Sequence, residues 1–410
     1  MVVSSVHEYS TGDILDCEKA DLVRIMYMKI MYLIFSFNVG GIERLLVDQC
    51  NGMASRGHRV TLCVINEDVT ESILNEISHD VEVLMLHRPA GGGQLPYMGA
   101  LAKEVQRRQI EVLHCEGMNC VLFSILAKVR NPQLVVLNTV HDVGNYSSYS
   151  SAKIWFSNRI LDETVAISDS VKSEILERKM NPDKVTTICN AIDTEKFHYV
   201  DRSGRGILKD REIHLVHIAR FFPKKKGQDT LLQALEMLLE RYPKLHCTFA
   251  GAPAKGQEEL YRQMQQDSVN KGLSSNVIFA GNVDDVFTLL AGTDLFVLPS
   301  NYEGFGISLI EAMATGLPCV ASDLEGPGEI LRRAETAGVN AGRLVPAGDA
   351  KALADALEEM IQNYEQYDGR KISAYTASVY GMDAFLAQHE ALYHGLLNHR
   401  KHKSRMDVYD

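Results

Sequence analysis

The sequence lacks the short motifs that mark several common classes of protein. Its eight cysteines form no CxxC pair, and no group of His, Cys, Asp and Glu residues has the spacing of metal ligands. The GxGxxG fingerprint, the Walker A motif and the GxSxG turn are also missing. These absences argue against a dinucleotide-dependent dehydrogenase, a P-loop NTPase, a GxSxG hydrolase and a metal site of either the structural or the catalytic kind.

Long apolar runs and a signal peptide are absent as well. No run reaches the ~18 residues that a membrane-spanning helix needs. Residues 1–27 contain acidic and polar side chains, and they lack the basic start and apolar core of a signal peptide. Because a strand-like apolar run begins at Met28, we expect residues 1–27 to be a disordered N-terminal extension outside the fold.

Positive charge is also scarce. The chain has 42 basic and 53 acidic residues, a net charge of −11, which argues against nucleic acid as a partner. Cysteines such as Cys63, Cys247 and Cys319 lie in or beside apolar runs, which is typical of reduced, buried thiols in a cytoplasmic protein. The short basic run at 399–405 favours a solvated chain end over a weak contact with an anionic membrane.

Apolar segments alternate with amphipathic helical segments along the rest of the chain. Thirteen of them predict strands, seven before the polar stretch 193–211 and six after it. Such alternation is typical of parallel sheets that are covered on both faces. We predict an α/β fold of two doubly wound, Rossmann-like domains with a cleft between them. The domains span residues 28–197 and 198–375, and residues 376–410 form C-terminal helices that pack back toward the first domain, with a basic tail.

The stretch 299–311, PSNYEGFGISLIE, predicts a binding loop between a strand and a helix. An apolar strand ends before it, Glu303 and Gly306 lie in the loop, and a helical pattern begins near Ile307. Glycine lets backbone N–H groups approach a ligand, and the positive end of the helix faces the same place. Glu311 lies within an otherwise apolar helix, where a carboxylate needs a bonding partner. We predict a site for a phosphorylated, hydroxyl-rich ligand.

Two further turns predict anion binding. Gly40 and Gly41 join the first strand to the first helix, so a glycine pair leaves that helix N-terminus open to an anion, although a plain tight turn is an alternative. In the second half, Arg220 ends a strand and the lysines 224–226 follow on a loop before Gly227. A planar guanidinium and a lysine point charge suit a diphosphate, and a solvated basic loop is the alternative.

Two histidines end predicted strands in the first half. His141, followed by Asp142, is either a structural residue or a polar group that faces the cleft between the domains. His114 has no comparable neighbours along the chain, and we interpret it as structural.

These residues together resemble a known family. The chain resembles, over residues 28–390, the retaining glycosyltransferases of family 4, which use nucleotide-sugars and have the GT-B fold. The most specific segment is PSNYEGFGISLIEAMATGLPCVASDLEGPGEIL at 299–331, which carries a Glu-x7-Glu motif as Glu303 and Glu311. The segment at 38–65, beginning NVGGIERLL, is similar to the family's first βαβ unit.

The resemblance implies a role for each candidate residue. Glu303 would bind hydroxyls of the donor sugar, His141 would face that sugar near the reacting carbon, and Arg220 with Lys226 would hold the diphosphate. One extra residue before Gly227 leaves Lys225 as an alternative to Lys226. The remaining donor-binding positions are Gly40, Gly41, Phe305, Gly306, Ile307 and Glu311, the last of them at the ribose hydroxyls.

The resemblance also implies a reaction. It is transfer of a sugar, with retention, from a nucleoside-diphosphate sugar to a glycan or lipid-linked acceptor in polysaccharide, lipopolysaccharide or glycolipid synthesis. No cofactor and no metal are expected, and the protein is expected in the cytoplasm, with peripheral contact at the inner face of the membrane left open. The alternatives are a nucleotide-sugar epimerase, a sugar phosphorylase and a non-catalytic nucleotide-sugar-binding protein.

Overall fold

A computed structural model describes residues 27–38, 40–141, 144, 146, 148–206 and 208–406. The extension predicted at residues 1–27 lies outside the described residues, apart from Tyr27, and so does Asp142.

The first half of the chain forms a seven-stranded parallel sheet. Its strands are β1 (Lys29–Ile34), β2 (Arg59–Asn66), β3 (Glu82–Arg88), β4 (Val112–Glu116), β5 (Val135–Val140), β6 (Glu163–Ala166) and β7 (Val185–Thr187). The helices are α1 (Gly41–Ser55), α2 (Glu71–Leu74), α3 (Leu95–Arg108), α4 (Met118–Arg130), α5 (Ser151–Ile160) and α6 (Asp169–Glu177). All the strand pairs are parallel, in the order β3-β2-β1-β4-β5-β6-β7.

The second half forms a six-stranded parallel sheet in the order β10-β9-β8-β11-β12-β13. Its strands are β8 (Ile213–Ile218), β9 (Leu245–Ala250), β10 (Val277–Gly281), β11 (Leu295–Leu298), β12 (Cys319–Ser322) and β13 (Gly342–Val345). The helices are α7 (Pro223–Lys226), α8 (Gln228–Leu239), α9 (Glu258–Asn270), α10 (Val286–Ala291), α11 (Ile307–Ala314), α12 (Glu325–Thr336), α13 (Ala350–Gln362), α14 (Gly369–Tyr380) and α15 (Met382–Met406). The prediction of two doubly wound parallel sheets is confirmed.

Local signals account for how several of these helices begin and pack. The side chain of Ser168 accepts a hydrogen bond from the N–H of Val171 at 3.2 Å, which caps α6 at its N-terminus. In α1 the apolar face buries Leu45, Leu46 and Met53 against the sheet and α15. These contacts hold α1 against the first sheet along most of its length.

The last helix returns to the first half of the chain. From the turn after α1, Arg56 and His58 bind Glu390 of α15 at 2.7 Å and 2.8 Å. The hydroxyl of Tyr393 lies 2.6 Å from Nδ1 of His114 and 3.3 Å from the hydroxyl of Tyr32. Helix α15 therefore packs on the first sheet although it follows the second along the chain.

Strand order determines where a ligand would bind. In each sheet the order reverses beside a central strand, between β1 and β4 in the first and between β8 and β11 in the second. Ligands of open α/β sheets bind at the carboxyl ends of the strands at such a switch point. The loops after these four strands are therefore the place to look for a site.

Candidate active site between the two sheets

The glycine turn after β1 lies against the second half of the chain. A Cβ added to Gly40 would overlap the carboxylate of Glu43 and lie 3.4 Å from Nη2 of Arg220. A Cβ on Gly41 would lie 3.3 Å from Cδ1 of Ile307, at the start of α11. The backbone of Gly40 is extended, a conformation that any residue adopts, and the nearest atom to an added Cβ belongs to the flexible end of Glu43. The two sheet edges thus face each other across this turn.

Lys226 and Glu303 form an ion pair in the second sheet's part of the cleft. The amine and the carboxylate are 2.8 Å apart, with 24% and 16% of the two side chains exposed. Gly227 makes this possible, because it has φ +67° and a Cβ there would overlap the carbonyl oxygen of Pro299. The loop after β8 therefore packs directly against the loop after β11, and it brings a base and an acid together.

Two details of the predicted basic loop are wrong. Strand β8 ends at Ile218, so Arg220 lies two residues beyond it and not at its end. The three lysines lie in α7, a single helical turn, and not in an irregular loop, because Pro223 suits the first position of a helix.

Lys225 lies near two aromatic rings, and this distinguishes it from Lys226. Its amine lies 5.3 Å from the ring centroid of Tyr302 and 5.7 Å from that of Phe222, whereas the amine of Lys226 binds Glu303. Of the two candidate lysines, Lys226 is the one that contacts an acidic side chain of the cleft.

The loop after β11 leads into α11 as the sequence predicts. Gly306 caps the helix with φ +100°, a conformation that L side chains rarely adopt, and Phe305 is buried. The N–H groups of Leu309 and Ile310 donate to the carbonyl oxygen of Gly306 at 3.0 Å and 3.4 Å, so the N–H groups at the very start of the helix, those of Ile307 and Ser308, are the ones that face outward from its end. A ligand oxygen placed there would satisfy them.

Glu311 is partly buried on α11, and no described residue bonds its carboxylate. Burial raises its pKa to about 7, while Lys196 and Arg44 oppose the rise and Asp48 adds to it. A carboxyl in this setting gains when a ligand donates hydrogen bonds to it.

Replacing Glu311 with glutamine should stabilise the protein at alkaline pH. In the unfolded chain this carboxyl ionises near its ordinary pKa of 4.5, but in the folded protein it ionises only near 7. The contribution of Glu311 to stability is therefore most favourable at low pH and is lost as the pH rises from 4.5 through 7. We expect Glu311→Gln to raise the free energy of unfolding by about 1–3 kcal/mol at pH 8 and by less at pH 5. Thermal unfolding at both pH values measures this, with the exposed Glu335→Gln as control; equal shifts at both would contradict it.

His141 lies on the first sheet's side of the cleft and binds a buried acid. Its Nε2 is 2.6 Å from Oε2 of Glu116, the last residue of β4. His114, by contrast, is fully buried and bonds Tyr393 and Thr139 at 2.6 Å each, which agrees with its structural interpretation.

Sequence reasoning missed two acidic residues of this site. Glu116 ends a strand at the same edge as His141, and that position was the signal that could have identified it. Glu43 lies in the first turn of α1, and the charges of Arg220 and His141 act on it. Burial raises the pKa of Glu43 above its ordinary value, while its own backbone N–H and those two charges oppose the rise. Glu43 brings a negative charge to a helix N-terminus that is predicted to bind an anion, and this mismatch of charge was the signal that could have identified it.

Neither a metal cluster nor a membrane-spanning helix occurs in the part of the chain that the structure describes. There, no three His, Cys, Asp or Glu side chains gather as metal ligands. None of the described helices combines the length and the apolar character needed to cross a bilayer.

Comparison with known proteins identifies the family. Residues 39–196 match the family model described as Glycosyltransferase Family 4, and residues 203–376 match the model described as Glycosyl transferases group 1. The chain is 38% identical over 358 residues to a phosphatidyl-myo-inositol mannosyltransferase of Mycobacterium leprae, in an alignment that covers 80% of this chain and 86% of that protein. The chain belongs to glycosyltransferase family 4.

Two further similarities concern the whole length of this glycosyltransferase. It is 24% identical over 382 residues to the N-acetyl-alpha-D-glucosaminyl L-malate synthase of Bacillus anthracis, in an alignment that covers 89% of this chain and 96% of that protein. The solved structure of Anabaena Alr3699/HepE in complex with UDP has a TM-score of 0.75 at 21% identity, and the match covers 90% of this chain and all of the other. At that identity the likeness shows the fold, which is GT-B as predicted.

Proposed function

We propose that this glycosyltransferase moves a sugar from a nucleoside-diphosphate sugar to an acceptor hydroxyl. The observation that carries the proposal is the ion pair of Lys226 with Glu303, in a cleft where Arg220 approaches the glycine turn before α1. A carboxylate accepts hydrogen bonds from sugar hydroxyls, and cationic side chains bind a diphosphate. The UDP bound to the HepE structure supports a nucleotide-sugar as the donor.

The leaving diphosphate explains why basic groups line this cleft. Negative charge builds on the phosphate oxygen as its bond to the sugar breaks. The guanidinium of Arg220, the amine of Lys226 and the N–H groups at the start of α1 would stabilise that charge without reorganising. The ion pair in the free protein keeps Lys226 and Glu303 in place until phosphate and sugar hydroxyls bind them.

Retention is proposed on the family resemblance, by attack on the face that the diphosphate leaves. The bond from the anomeric carbon to the phosphate oxygen breaks, and the acceptor oxygen bonds to that carbon on the same face. The acceptor's proton passes to the leaving phosphate oxygen, so charges and atoms balance. This route needs no carboxylate nucleophile in line with the anomeric carbon.

The acceptor is proposed to be a cell-surface glycan or a lipid-linked acceptor. The Mycobacterium leprae relative is named for transfer of mannose to phosphatidyl-myo-inositol, which supports a lipid-linked acceptor. We therefore propose a cytoplasmic enzyme of polysaccharide, lipopolysaccharide or glycolipid synthesis, with peripheral contact at the inner face of the membrane.

A panel of nucleotide-sugars tests the proposal. A donor present at 100 times its dissociation constant should raise the free energy of unfolding by about 2.7 kcal/mol, which a thermal shift detects. Incubation of that donor with candidate acceptors should then release nucleoside diphosphate. Conversion of the donor without an acceptor would favour an epimerase, dependence on inorganic phosphate would favour a phosphorylase, and binding without turnover would favour a binding protein.

Turnover should be unchanged after treatment with EDTA. Arg220, Lys226 and the start of α1 supply the positive charge that the leaving diphosphate needs, so no divalent cation is required for that task. The measurement is release of nucleoside diphosphate before and after chelation, with added Mg²⁺ or Mn²⁺ as the control. Activity that disappears with EDTA and returns with the metal would refute the metal-independent proposal.

A further inference from the structure

The outward side of helix α4 is apolar although it borders solvent. Leu122, Leu126 and Val129 follow one another at helical intervals, so they lie on one side of the helix, opposite the buried Ser124 and Ala127. Val129 is 70% exposed, and the two leucines are half-buried. Surface helices of soluble proteins usually place polar side chains on this side. The outer side of α4 is therefore an exception that needs an explanation.

Helix α5 packs beside α4 on the same face of the first sheet and presents aromatic rings to solvent. Trp155, the only tryptophan of the chain, is 56% exposed, and its neighbour Phe156 is exposed as well, whereas Ile154 and Ile160 are buried. The guanidinium carbon of Arg159 lies 4.1 Å from the ring centroid of Trp155. An indole ring has an apolar body and a polar N–H, so it suits the boundary between an apolar phase and water.

The two helices carry basic but no acidic side chains, in a chain whose net charge is −11. Lys128 binds Asp162 at 2.9 Å, which balances its charge. Arg130, Lys153 and Arg159 have no acidic partner among the residues that the structure describes. Positive charge therefore accompanies the exposed apolar groups on a protein that is acidic as a whole. The complementary partner is an apolar phase that is bounded by negative charge.

This surface adjoins the loops at the carboxyl edge of the first sheet. The segment after β3 leads into α3, which packs against α4, and the segment after β5 leads into α5. Leu95, at the start of α3, is exposed. Because the carboxyl edge is also where the cleft opens, a partner on this surface lies beside the loops that border the cleft.

We propose that the outer face of α4 and α5 lies on a membrane surface that contains anionic lipids. This outer face consists of Leu122, Leu126, Val129 and Arg130 of α4 and Lys153, Trp155, Phe156 and Arg159 of α5. Its apolar side chains enter the headgroup region, and its basic side chains contact the negative headgroups. The inference deepens the proposed function and rests on it for the use of a lipid-linked acceptor, which this contact brings beside the cleft.

The fluorescence of Trp155 tests this contact in the unmodified protein. All tryptophan emission comes from this one residue, so the signal reports on the outer face itself. Vesicles of equal parts phosphatidylcholine and phosphatidylglycerol should shift the emission to shorter wavelength, because the indole ring leaves water. Vesicles of phosphatidylcholine alone should give a smaller shift, and added salt should reduce the shift with the anionic vesicles. No shift with the anionic vesicles overturns the proposal, and so does an equal shift with both kinds.

Co-sedimentation with the same anionic vesicles measures what each group contributes. Trp155→Ala should weaken binding about tenfold or more, since it removes a large apolar side chain from the contact. Arg130→Gln should weaken binding about fivefold, the effect of one basic charge near an anionic surface. The matched controls lie on α9 of the second half: Val269→Ser, at a residue that is 54% exposed, and Arg262→Gln, at an exposed arginine. Both controls should bind like the wild type.

The remaining outcomes separate this inference from its alternatives. Vesicle binding that Trp155→Ala and Arg130→Gln leave unchanged would place the contact elsewhere and overturn the proposal. A blue shift that grows with protein concentration in the absence of lipid would assign the outer face to a second copy of the chain, which also overturns it. None of these measurements uses a donor or an acceptor. A failure to turn over any nucleotide-sugar would therefore refute the proposed function and leave the vesicle result standing.

Discussion

Replacing Glu303 with alanine is expected to lower kcat/KM by at least about 10³-fold while the protein stays folded. Hydrogen bonds to a charged group contribute about 1.5–3 kcal/mol each, and two hydroxyls of a sugar lost from this carboxylate account for a loss of that size. The substitution also leaves the amine of Lys226 without the acid that lies 2.8 Å from it. Steady-state transfer, with circular dichroism to check folding, measures the effect.

Two further variants serve as comparisons for Glu303→Ala, one at the same position and one as a control elsewhere. Glu303→Gln keeps the side chain's size and removes its charge, so it should remain strongly impaired. Glu258→Ala, at an exposed position at the start of α9, should retain full turnover. Near-normal turnover by Glu303→Ala would remove Glu303 from the site.

Replacing Arg220 with alanine should weaken binding of the nucleoside diphosphate and slow transfer. Loss of one group that stabilises developing charge typically costs ~2.7–4 kcal/mol, about 10²–10³ in kcat. Arg220 is placed for this task because its Nη2 lies beside the glycine turn before α1, where a phosphate can also meet helix N–H groups. Calorimetry with the nucleoside diphosphate and steady-state kinetics measure the two effects; unchanged affinity would contradict the assignment.

The lysines of α7 provide an internal comparison for the same binding experiment. Lys226→Ala should weaken binding of the nucleoside diphosphate, because Lys226 is the lysine that contacts Glu303 in the cleft. The exposed Lys224→Ala is the control and should bind normally. A loss of affinity in Lys225→Ala but not in Lys226→Ala would assign diphosphate binding to Lys225, the alternative that the sequence leaves open.

Much of the fold could be predicted from local pattern. The thirteen predicted strands, seven before the polar stretch 193–211 and six after it, agree with the sheets of seven and six strands that the structure describes. Alternation of apolar strands with helices is a property of neighbouring residues, and the unbroken apolar character of the strands reports burial on both faces. The conversion of lysines 224–226 into a helical turn was missed because four residues carry too little periodicity to detect.

The contacts inside the cleft join residues that are far apart along the chain, and a local sequence pattern does not predict such contacts. Lys226 and Glu303 are 77 residues apart, and Glu116 and His141 are 25 apart. Placement of Glu303 and Arg220 on one sheet edge followed from their positions after predicted strands. The approach of Arg220 to the turn at Gly40 could not be predicted, because it needs the two sheets to face each other.

By itself, the sequence determined two parallel-sheet domains, the family and the loops that hold the candidate residues. Those features follow from short-range hydrophobic periodicity, glycine turns and a motif of thirteen residues. The tertiary structure alone decided that β4 lies beside β1 and β11 beside β8, and therefore which loops meet. Strand order depends on the packing of helices onto both sheets, a non-local balance of buried surface, and it is this order that brings Glu116 to His141 and Lys226 to Glu303.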